Sequence, residues 1–342
     1  MTWLRQIAFA GLAAVTIGGA ASSVSAMELG NFENRLYGAT NGLPLGAAPP
    51  PGLYTGLQTG YLGLPTTNGG KSAGTWCVPV AGGGCAALPA ITQAVPLTWV
   101  PGWNFIGATY SASVVQAFYV FTTCGVPGSG GNCTGAAPIS SGGFVYTNTF
   151  FAPIDLSWNL GGGWFVSSGF HFVAPDGTRQ AGTPNPDFWT FEIPLAFSYL
   201  AKNWLLSANF FYDINTKSQG ICCSQVNTIT NGNILIGDLT ALYKIGKWSI
   251  GPVGTFEVQT TDDTGCAGLL GPSGAPLCGR RDNAQVGGLV GYDFGPVDIQ
   301  VWATGVVYGH DTPQTTGAIN ISTRIGFKLW GPEAPKPLVA KN

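Results

Sequence analysis

Two consecutive stretches between Phe188 and Ile214 alternate apolar and polar side chains with a period of two residues. Their apolar rows are Trp189, Phe191, Ile193, Leu195, Phe197 and Tyr199, then Trp204, Leu206, Ala208, Phe210 and Tyr212. A period of two is typical of strands with one apolar face. Each stretch has about eleven residues, the length with which a tilted strand crosses a hydrocarbon layer. Aromatic rings end both rows, which a soluble sandwich does not demand but the wall of a transmembrane barrel shows.

The composition also favours a barrel in lipid. Charged residues make up only 9% of the chain and mean hydropathy is +0.23, against roughly 25% charged residues in ordinary globular domains. Beyond residue 26 no apolar run reaches the roughly 18 residues of a transmembrane helix. In lipid, the other way to satisfy the backbone is a closed barrel. The formal net charge of -2 comes without a basic cluster, so nucleic acid is not an expected partner.

The first 26 residues have the features of a signal peptide. Arg5 supplies the positive region, Ile7 to Ala21 form an apolar core, and Val24-Ser25-Ala26 offer a small-residue cleavage site. Export would place the cysteines in an oxidising compartment. The Gly/Pro/Ala-rich residues 27–51 are predicted to be a periplasmic entry segment.

Alternation along the rest of the chain predicts an all-β fold, a transmembrane antiparallel barrel spanning residues 52–330, with a periplasmic tail at 331–342. About twelve strands are expected, close to Gly52–Leu62, Leu97–Trp103, Phe105–Thr122, Phe144–Trp158, Trp164–Phe172, Trp189–Tyr199, Trp204–Tyr212, Asn233–Lys244, Trp248–Thr260, Ala284–Phe294, Val297–Tyr308 and Thr316–Trp330. Long and tight connections alternate strictly along the chain. Bacterial outer-membrane barrels have short periplasmic turns and long extracellular loops, so this membrane is the predicted location.

All eight cysteines fall in the long connections. Three connections each hold a close pair, which predicts loop staples by three disulfides: Cys77–Cys85, Cys124–Cys133 and Cys266–Cys278. Cys222 and Cys223 are adjacent, and pairing them with each other needs a strained geometry, so their pairing stays open. A metal site is not expected, because the chain has two histidines and no CxxC spacing.

Several short segments resemble one known family: Phe188-Trp189-Thr190-Phe191-Glu192, the Tyr199 to Trp204 turn, Ser207-Ala208, Tyr212 to Asn215, Gln259 to Asp263, and Gly291 to Gly295. They are similar to the outer-membrane proteins labelled "MetA-pathway of phenol degradation", also called SphA-like. The resemblance covers roughly residues 185 to 330 well and the N-terminal half only in pattern. It implies an outer-membrane barrel, often encoded among genes for aromatic-compound breakdown, with a transport role and no catalytic residues.

Strand parity points a set of polar side chains into the lumen: Glu192, Asn209, Asp238, Glu257, Arg324, Lys328 and His171. The acids Glu192, Asp238 and Glu257 lie on the sixth to ninth strands, and Arg324 and Lys328 on the last. If the passage is open, acids facing bases would set up a transverse field. Alternatively, these charges pair with each other or with lumen-filling groups, because buried charges persist when paired.

The inward rows also carry apolar and aromatic side chains, among them Phe151, Phe165, Leu205, Phe211, Ile236, Trp302 and Tyr308. A wide porin would have a more polar lumen. This lining favours a channel for passive uptake of small apolar or aromatic compounds, with membrane lipid outside and no cofactor. A surface-display or structural barrel whose stapled loops bind partners is the alternative. An outer-membrane hydrolase comes third, since neither His171 nor His310 belongs to a catalytic motif.

Overall fold

Twelve long strands account for most of the residues that the structure describes. The computed structural model describes residues 34–36, 38–64, 66–68, 71–73, 77–80, 84–87, 90–123, 137–138, 145–178, 185–219, 229–266, 279–310 and 317–332, with side chains except at 62–90 and 119–145. The strands are β1 (Gly52–Leu64), β2 (Ala90–Val100), β3 (Ala108–Thr123), β4 (Thr149–Gly161), β5 (Trp164–Ala174), β6 (Thr190–Leu200), β7 (Trp204–Asn215), β8 (Ile234–Ile245), β9 (Trp248–Gln259), β10 (Asp282–Asp293), β11 (Val297–His310) and β12 (Ile319–Trp330).

The twelve strands close into a ring. Each pairs antiparallel with the next along the chain, and β1 pairs with both β2 and β12. Closure leaves no unpaired strand edge, which is the condition for a sheet in lipid. The predicted closed antiparallel barrel of twelve strands is therefore confirmed.

Among the described residues, no helix is long and apolar enough to cross a membrane.

The alternation of β6 separates an inner from an outer face. Phe197 is 42% exposed, whereas its neighbours Ala196 and Ser198 are each 1% exposed. β7 repeats the pattern, with Trp204 outward and Leu205 buried. Side chains thus alternate between the two faces, as the period of two predicts; the outer rows of β6 and β7 are apolar, whereas their inner rows mix polar with apolar side chains such as Leu205.

Aromatic pairs surround the barrel near its short turns. Ring centroids lie 4.8 Å apart for Trp164 and Tyr199, 5.0 Å for Trp204 and Tyr243, and 4.7 Å for Trp248 and Tyr292. Each pair joins neighbouring strands at one height. Such a belt is typical of the water–lipid boundary of a membrane barrel.

The connections differ in length between the two ends of the barrel. At one end, the short-turn end, the links from β4 onward span only two or three residues, and glycines at positive φ, such as Gly246 and Gly295, make them possible. The opposite, long-loop end carries all the long connections, and the link from β1 to β2 includes the short hairpins 66–73 and 77–87.

The two largest differences from the predicted strand limits are at the starts of β2 and β4. β2 begins at Ala90 rather than near Leu97. Pro96 lacks an N–H and argues against a strand interior. It nevertheless pairs opposite Val115 within the strand, and its carbonyl accepts a hydrogen bond from Thr55. β4 begins at Thr149 rather than near Phe144, and the preceding Val145–Tyr146 pairs separately with β3.

Phe151 and Tyr308 are further corrections, since neither side chain points inward. The register of β4 with β5 shifts between Phe151 and Ile154, so Phe151 stacks on Phe172 of the outer face, with ring centroids 5.0 Å apart.

The side chain of Tyr308 is 53% exposed. The register of β10 with β11 shifts between Ala284 and Gln285, which face Tyr308 and Val306 respectively. One extra residue in β11 reverses the parity beyond it, so Val306 is the last buried member of the row.

Several predictions fall outside the described residues. They are the signal peptide at 1–26, most of the tail at 331–342, and the side chains of every cysteine except Cys266. These remain predictions.

Candidate functional site

The lumen contains the chain segment that precedes β1. Residues 34–36 and 38–48, here called the plug, run from the long-loop end, where Asn34 bonds Thr190, to the short-turn end near Ser157. This differs from a segment lying in the periplasm. Because the plug backbone bonds to side chains of the wall and not to a neighbouring strand, it has no period of two that would reveal it in the sequence.

Arg35 makes a charged contact between the plug and the wall. Its Nη1 lies 2.8 and 2.6 Å from the two carboxylate oxygens of Glu192, which is fully buried on β6. The guanidinium carbon lies 3.3 Å from the ring centroid of Phe211 and 5.5 Å from that of Phe150. A charge-assisted bond and two aromatic faces therefore hold one planar cation.

His171 on β5 extends this cluster. Its Nδ1 lies 2.6 Å from Glu192 Oε1 and its Nε2 lies 2.8 Å from Asp155 Oδ1. A carboxylate at each ring nitrogen favours the imidazolium form, in which both nitrogens donate. His171 thus acts as a second cation for Glu192 and orients its carboxylate.

Asp238 on β8 holds the middle of the plug. Its Oδ1 accepts from the backbone N of Gly38 at 2.7 Å, and its Oδ2 accepts from the N and Oγ1 of Thr40 at 2.9 and 2.6 Å. Thr255 donates a fourth bond to Oδ1 at 2.6 Å. Asn209 adds a bond to the carbonyl of Leu43 at 3.0 Å. Four donated hydrogen bonds thus converge on the buried carboxylate of Asp238, and three of them come from the plug.

Arg324 reaches the same part of the plug from the opposite wall. Nη1 and Nη2 donate to the carbonyls of Asn41 and Ala39 at 2.8 and 2.6 Å. Gln58 and Gln300 provide further acceptors, and the guanidinium carbon lies 4.8 Å from the Trp302 ring centroid. Arg324 therefore binds plug carbonyls rather than facing an acid across open space.

Wall hydroxyls bind the lower plug. The backbone N of Gly42 donates to Thr240, that of Gly46 to Ser198, and that of Ala48 to Ser157, at 2.9, 3.0 and 3.1 Å. Glycine is needed here: a Cβ on Gly46 would lie 2.7 Å from the Ser198 nitrogen, and one on Gly42 would lie 2.6 Å from Gln300 Oε1. The Gly-rich composition thus permits close approach to the wall.

The remaining predicted charges lie apart from the plug contacts. Glu257 on β9 is fully buried and lies 2.5 Å from Nε of Arg281. Burial lowers the pKa of the Arg281 guanidinium to about 9, so it stays cationic at neutral pH. Lys328 is exposed at the short-turn end, where its Nζ lies 5.6 Å from the Tyr54 ring centroid. An open field between acids and bases is therefore not what the lumen contains.

Two apolar clusters share the lumen with these polar groups. Phe211, Ile234 and Ile236 are 0–1% exposed and have Leu45 of the plug packed against them. Closer to the short turns, a second cluster consists of Leu205, Leu242, Val253, Leu289 and Trp302. Both lie on the inner face, so the lining is mixed along its whole height.

The alternation of side chains along the strands could not identify Arg35 and Arg281 as functional residues, because both precede a strand. One signal points to Arg35. Buried carboxylates on β6 to β9 require cations, and Arg35 is the only basic residue between Met27 and Gly52. Among the described residues, no group of three or more His, Cys, Asp or Glu could hold a metal ion.

Comparison with known proteins gives one family and a set of similar barrels. The family described as "Putative MetA-pathway of phenol degradation" matches residues 82–325. The COG4313 outer membrane channel from Pseudomonas putida F1 is similar at 10% identity and a TM-score of 0.61, over 82% of this chain and 96% of that one.

Two further structures are more distant. The NanC porin has 10% identity and a TM-score of 0.45, over 80% of this chain and 100% of that one. The β domain of the Bordetella autotransporter BrkA has 12% identity and a TM-score of 0.42, over 82% and 100%. No curated protein matches the chain in sequence. At such identities, the similarity to the COG4313 channel shows a shared fold.

Proposed function

The chain belongs to the MetA-pathway of phenol degradation family, and on that premise we propose that it is an outer-membrane channel for passive uptake of small apolar or aromatic compounds. The resemblance found in the sequence is confirmed by the family match over residues 82–325. A solved barrel of the same fold is named as an outer membrane channel, which supports a channel role here.

The observation that carries the proposal is the occupied, mixed lumen. A porin for polar solutes keeps a polar, water-filled interior. Here the plug crosses the lumen, and the buried apolar clusters around Phe211 and Trp302 lie beside it. This lining favours the permeation of single small apolar molecules over that of hydrated ions. Such molecules would pass when the plug is displaced.

The test compares solute uptake with ion conductance. Vesicles with lipopolysaccharide in their outer leaflet, which slows bare-bilayer permeation, should take up at least one of phenol and toluene faster with the protein than without it. In planar bilayers the wild type should conduct ions weakly, and deletion of residues 34–48 should raise conductance. Uptake equal to that of protein-free vesicles, for both solutes, would overturn the channel proposal.

A structural or surface-display barrel is the second candidate, and one observation favours it. Glu192, Asp238 and Arg324 hold the plug from three strands, as expected if the lumen stays closed. In that case deletion of the plug would create conductance, while the wild type would take up neither solute. An enzymatic role is not proposed, because both ring nitrogens of His171 face carboxylates and not a nucleophile.

Orientation and loop chemistry complete the proposal. The short turns would face the periplasm and the long loops the cell exterior, with disulfides Cys77–Cys85, Cys124–Cys133 and Cys266–Cys278 in those loops. Cys266 is disulfide-bonded, and its pairing with Cys278 is part of the proposal. Peptide mapping without reduction should recover the three linked pairs, and a Cys266 linked to a residue other than Cys278 would refute that assignment.

A further inference from the structure

We propose that Arg35 occupies a binding subsite for a planar solute with a hydrogen-bond donor, a hydroxylated arene above all, and that such a solute releases the plug by displacing Arg35. This inference rests on the proposed channel function. It adds the chemical class of solute that opens the passage.

The subsite accommodates a planar group. The guanidinium carbon of Arg35 lies 3.3 Å from the ring centroid of Phe211 and 5.5 Å from that of Phe150. Guanidinium groups and aromatic rings are both planar, and both stack on aromatic faces. An arene of similar thickness can therefore replace the guanidinium beside Phe211, with Ile234 and Ile236 as further apolar neighbours.

The subsite also has a buried acceptor. Glu192 is fully buried, and both of its oxygens accept from one nitrogen of Arg35, Nη1. A forked Arg–carboxylate pair uses two nitrogens in parallel. Here Nε of Arg35 is buried without a hydrogen-bond partner. Arg35 thus fills the subsite without using its full bonding capacity, so a competing donor can displace it.

When a neutral donor replaces Arg35, His171 is the cation that remains beside Glu192. His171 Nδ1 remains 2.6 Å from Glu192 Oε1, so the carboxylate is not left as an isolated buried charge, which would be strongly unfavourable. A hydroxyl can then donate to the oxygen that Arg35 leaves. A hydrocarbon such as toluene offers no donor, and the carboxylate would lose a hydrogen bond without replacement.

Displacement of Arg35 detaches the upper plug. Beside Arg35, Asn34 donates to Thr190 and to the carbonyl of Phe188 at 2.7 and 3.2 Å. Below it, the plug is held through backbone N–H groups such as those of Gly38 and Thr40 on Asp238. These amides become open to hydrogen exchange once the segment leaves the wall, which gives a direct readout.

The first experiment measures binding of phenol, benzamidinium and toluene to the full-length protein in detergent by calorimetry. Arg35→Ala should bind phenol at least about tenfold more tightly than the wild type, because the internal competitor is gone. Arg35→Lys should fall between them, since a lysine keeps the charge without the plane. Glu192→Gln keeps only a neutral amide acceptor, so its preference for phenol over toluene should be smaller than that of Arg35→Ala.

Arg280→Ala is the matched control, since Arg280 forms an exposed pair with Asp262 outside the lumen; it should bind phenol like the wild type. Equal phenol affinity in Arg35→Ala and the wild type would overturn the competition. Binding of benzamidinium without phenol would overturn the hydroxylated-arene assignment.

The second experiment needs no variant, so it stands even if Arg35→Ala fails to assemble. Hydrogen exchange of peptides covering residues 34–48 should speed up with phenol and stay unchanged with toluene. Unchanged exchange in saturating phenol would refute plug release. This result can be distinguished from that of the uptake assay. If both solutes are taken up but phenol does not change hydrogen exchange of the plug, the channel proposal stands and plug release by phenol is rejected.

Discussion

At the scale of single residues, Glu192 connects three parts of the lumen. Its carboxylate accepts from Arg35 of the plug and from His171 of β5, and Asp213 lies directly opposite it on β7. A buried carboxylate is unfavourable unless charges and donors compensate it. The two cations that surround Glu192 supply that compensation, so this residue couples plug position to barrel stability.

Glu192→Gln should therefore lower the thermal stability of the barrel. Removing one partner of a buried pair costs about 3–5 kcal/mol, because the other charge stays buried. Asp262→Asn is the matched control, since the Arg280–Asp262 pair is exposed and such pairs contribute about 0–1 kcal/mol. Heat-dependent gel mobility would compare both variants, and equal losses would contradict the role given to Glu192.

The outer face gives a second prediction at this scale. Phe197 is 42% exposed on the outer wall, so Phe197→Arg should destabilise the assembled barrel by about 2–4 kcal/mol near the midplane. Phe197→Leu keeps the site apolar and should fold almost normally. Urea titration in lipid vesicles measures both. Equal stability of the Phe197→Arg and Phe197→Leu barrels would mean that this row does not face lipid.

The alternation of side chains along the strands was enough to predict that Glu192, Asp238 and Arg324 point into the lumen. That prediction did not require knowing which residues they contact. The partners themselves could not be derived, because Arg35 lies in a segment without periodicity and Arg281 precedes β10 by one residue. Lys328 shares the parity of Arg324 but lies four residues further toward the mouth of the barrel, where water reaches it.

At the scale of elements, the plug contrasts with the strands around it. β6 and β7 could be delimited from alternation to within a few residues, whereas the start of β2 was placed seven residues too late, at Leu97 instead of Ala90. The plug gave no signal of its location, since glycine, proline and alanine allow close approach without any pattern. Its position is determined by wall side chains that lie far away in sequence, such as Asp238.

Asp238→Asn should loosen the plug. The four donors around Asp238 all need an acceptor, and an amide nitrogen in place of one carboxylate oxygen would face donors instead. Hydrogen exchange of residues 38–42 should accelerate at least about tenfold. Asp176→Asn, at an exposed contact with Thr149, is the control. Unaltered protection in Asp238→Asn would show that Arg324 and the hydroxyls hold the plug without it.

The whole molecule is a ring closed by β1 and β12, with connection lengths that differ between its two ends. The proposed orientation places the long-loop end outside the cell. After reduction, an impermeant thiol reagent should label Cys77, Cys124 and Cys266 on intact cells. Labelling of these residues only after rupture of the outer membrane would reverse the orientation, and a periplasmic thiol protein serves as the integrity control.

The descent of the plug through the lumen also constrains how the protein is made. Residues 34–48 come before β1 in the chain, yet strands on all sides of the ring surround them, and β1 itself completes the ring by pairing with β12. A segment synthesised before β1 is therefore enclosed by a seam that needs β12, which is synthesised after the other eleven strands. Assembly must either wrap the sheet around a segment already in place or thread that segment through a finished pore. A bulky folded domain fused ahead of residue 34 would block threading but not wrapping, so the yield of such a fusion distinguishes the two routes of biogenesis.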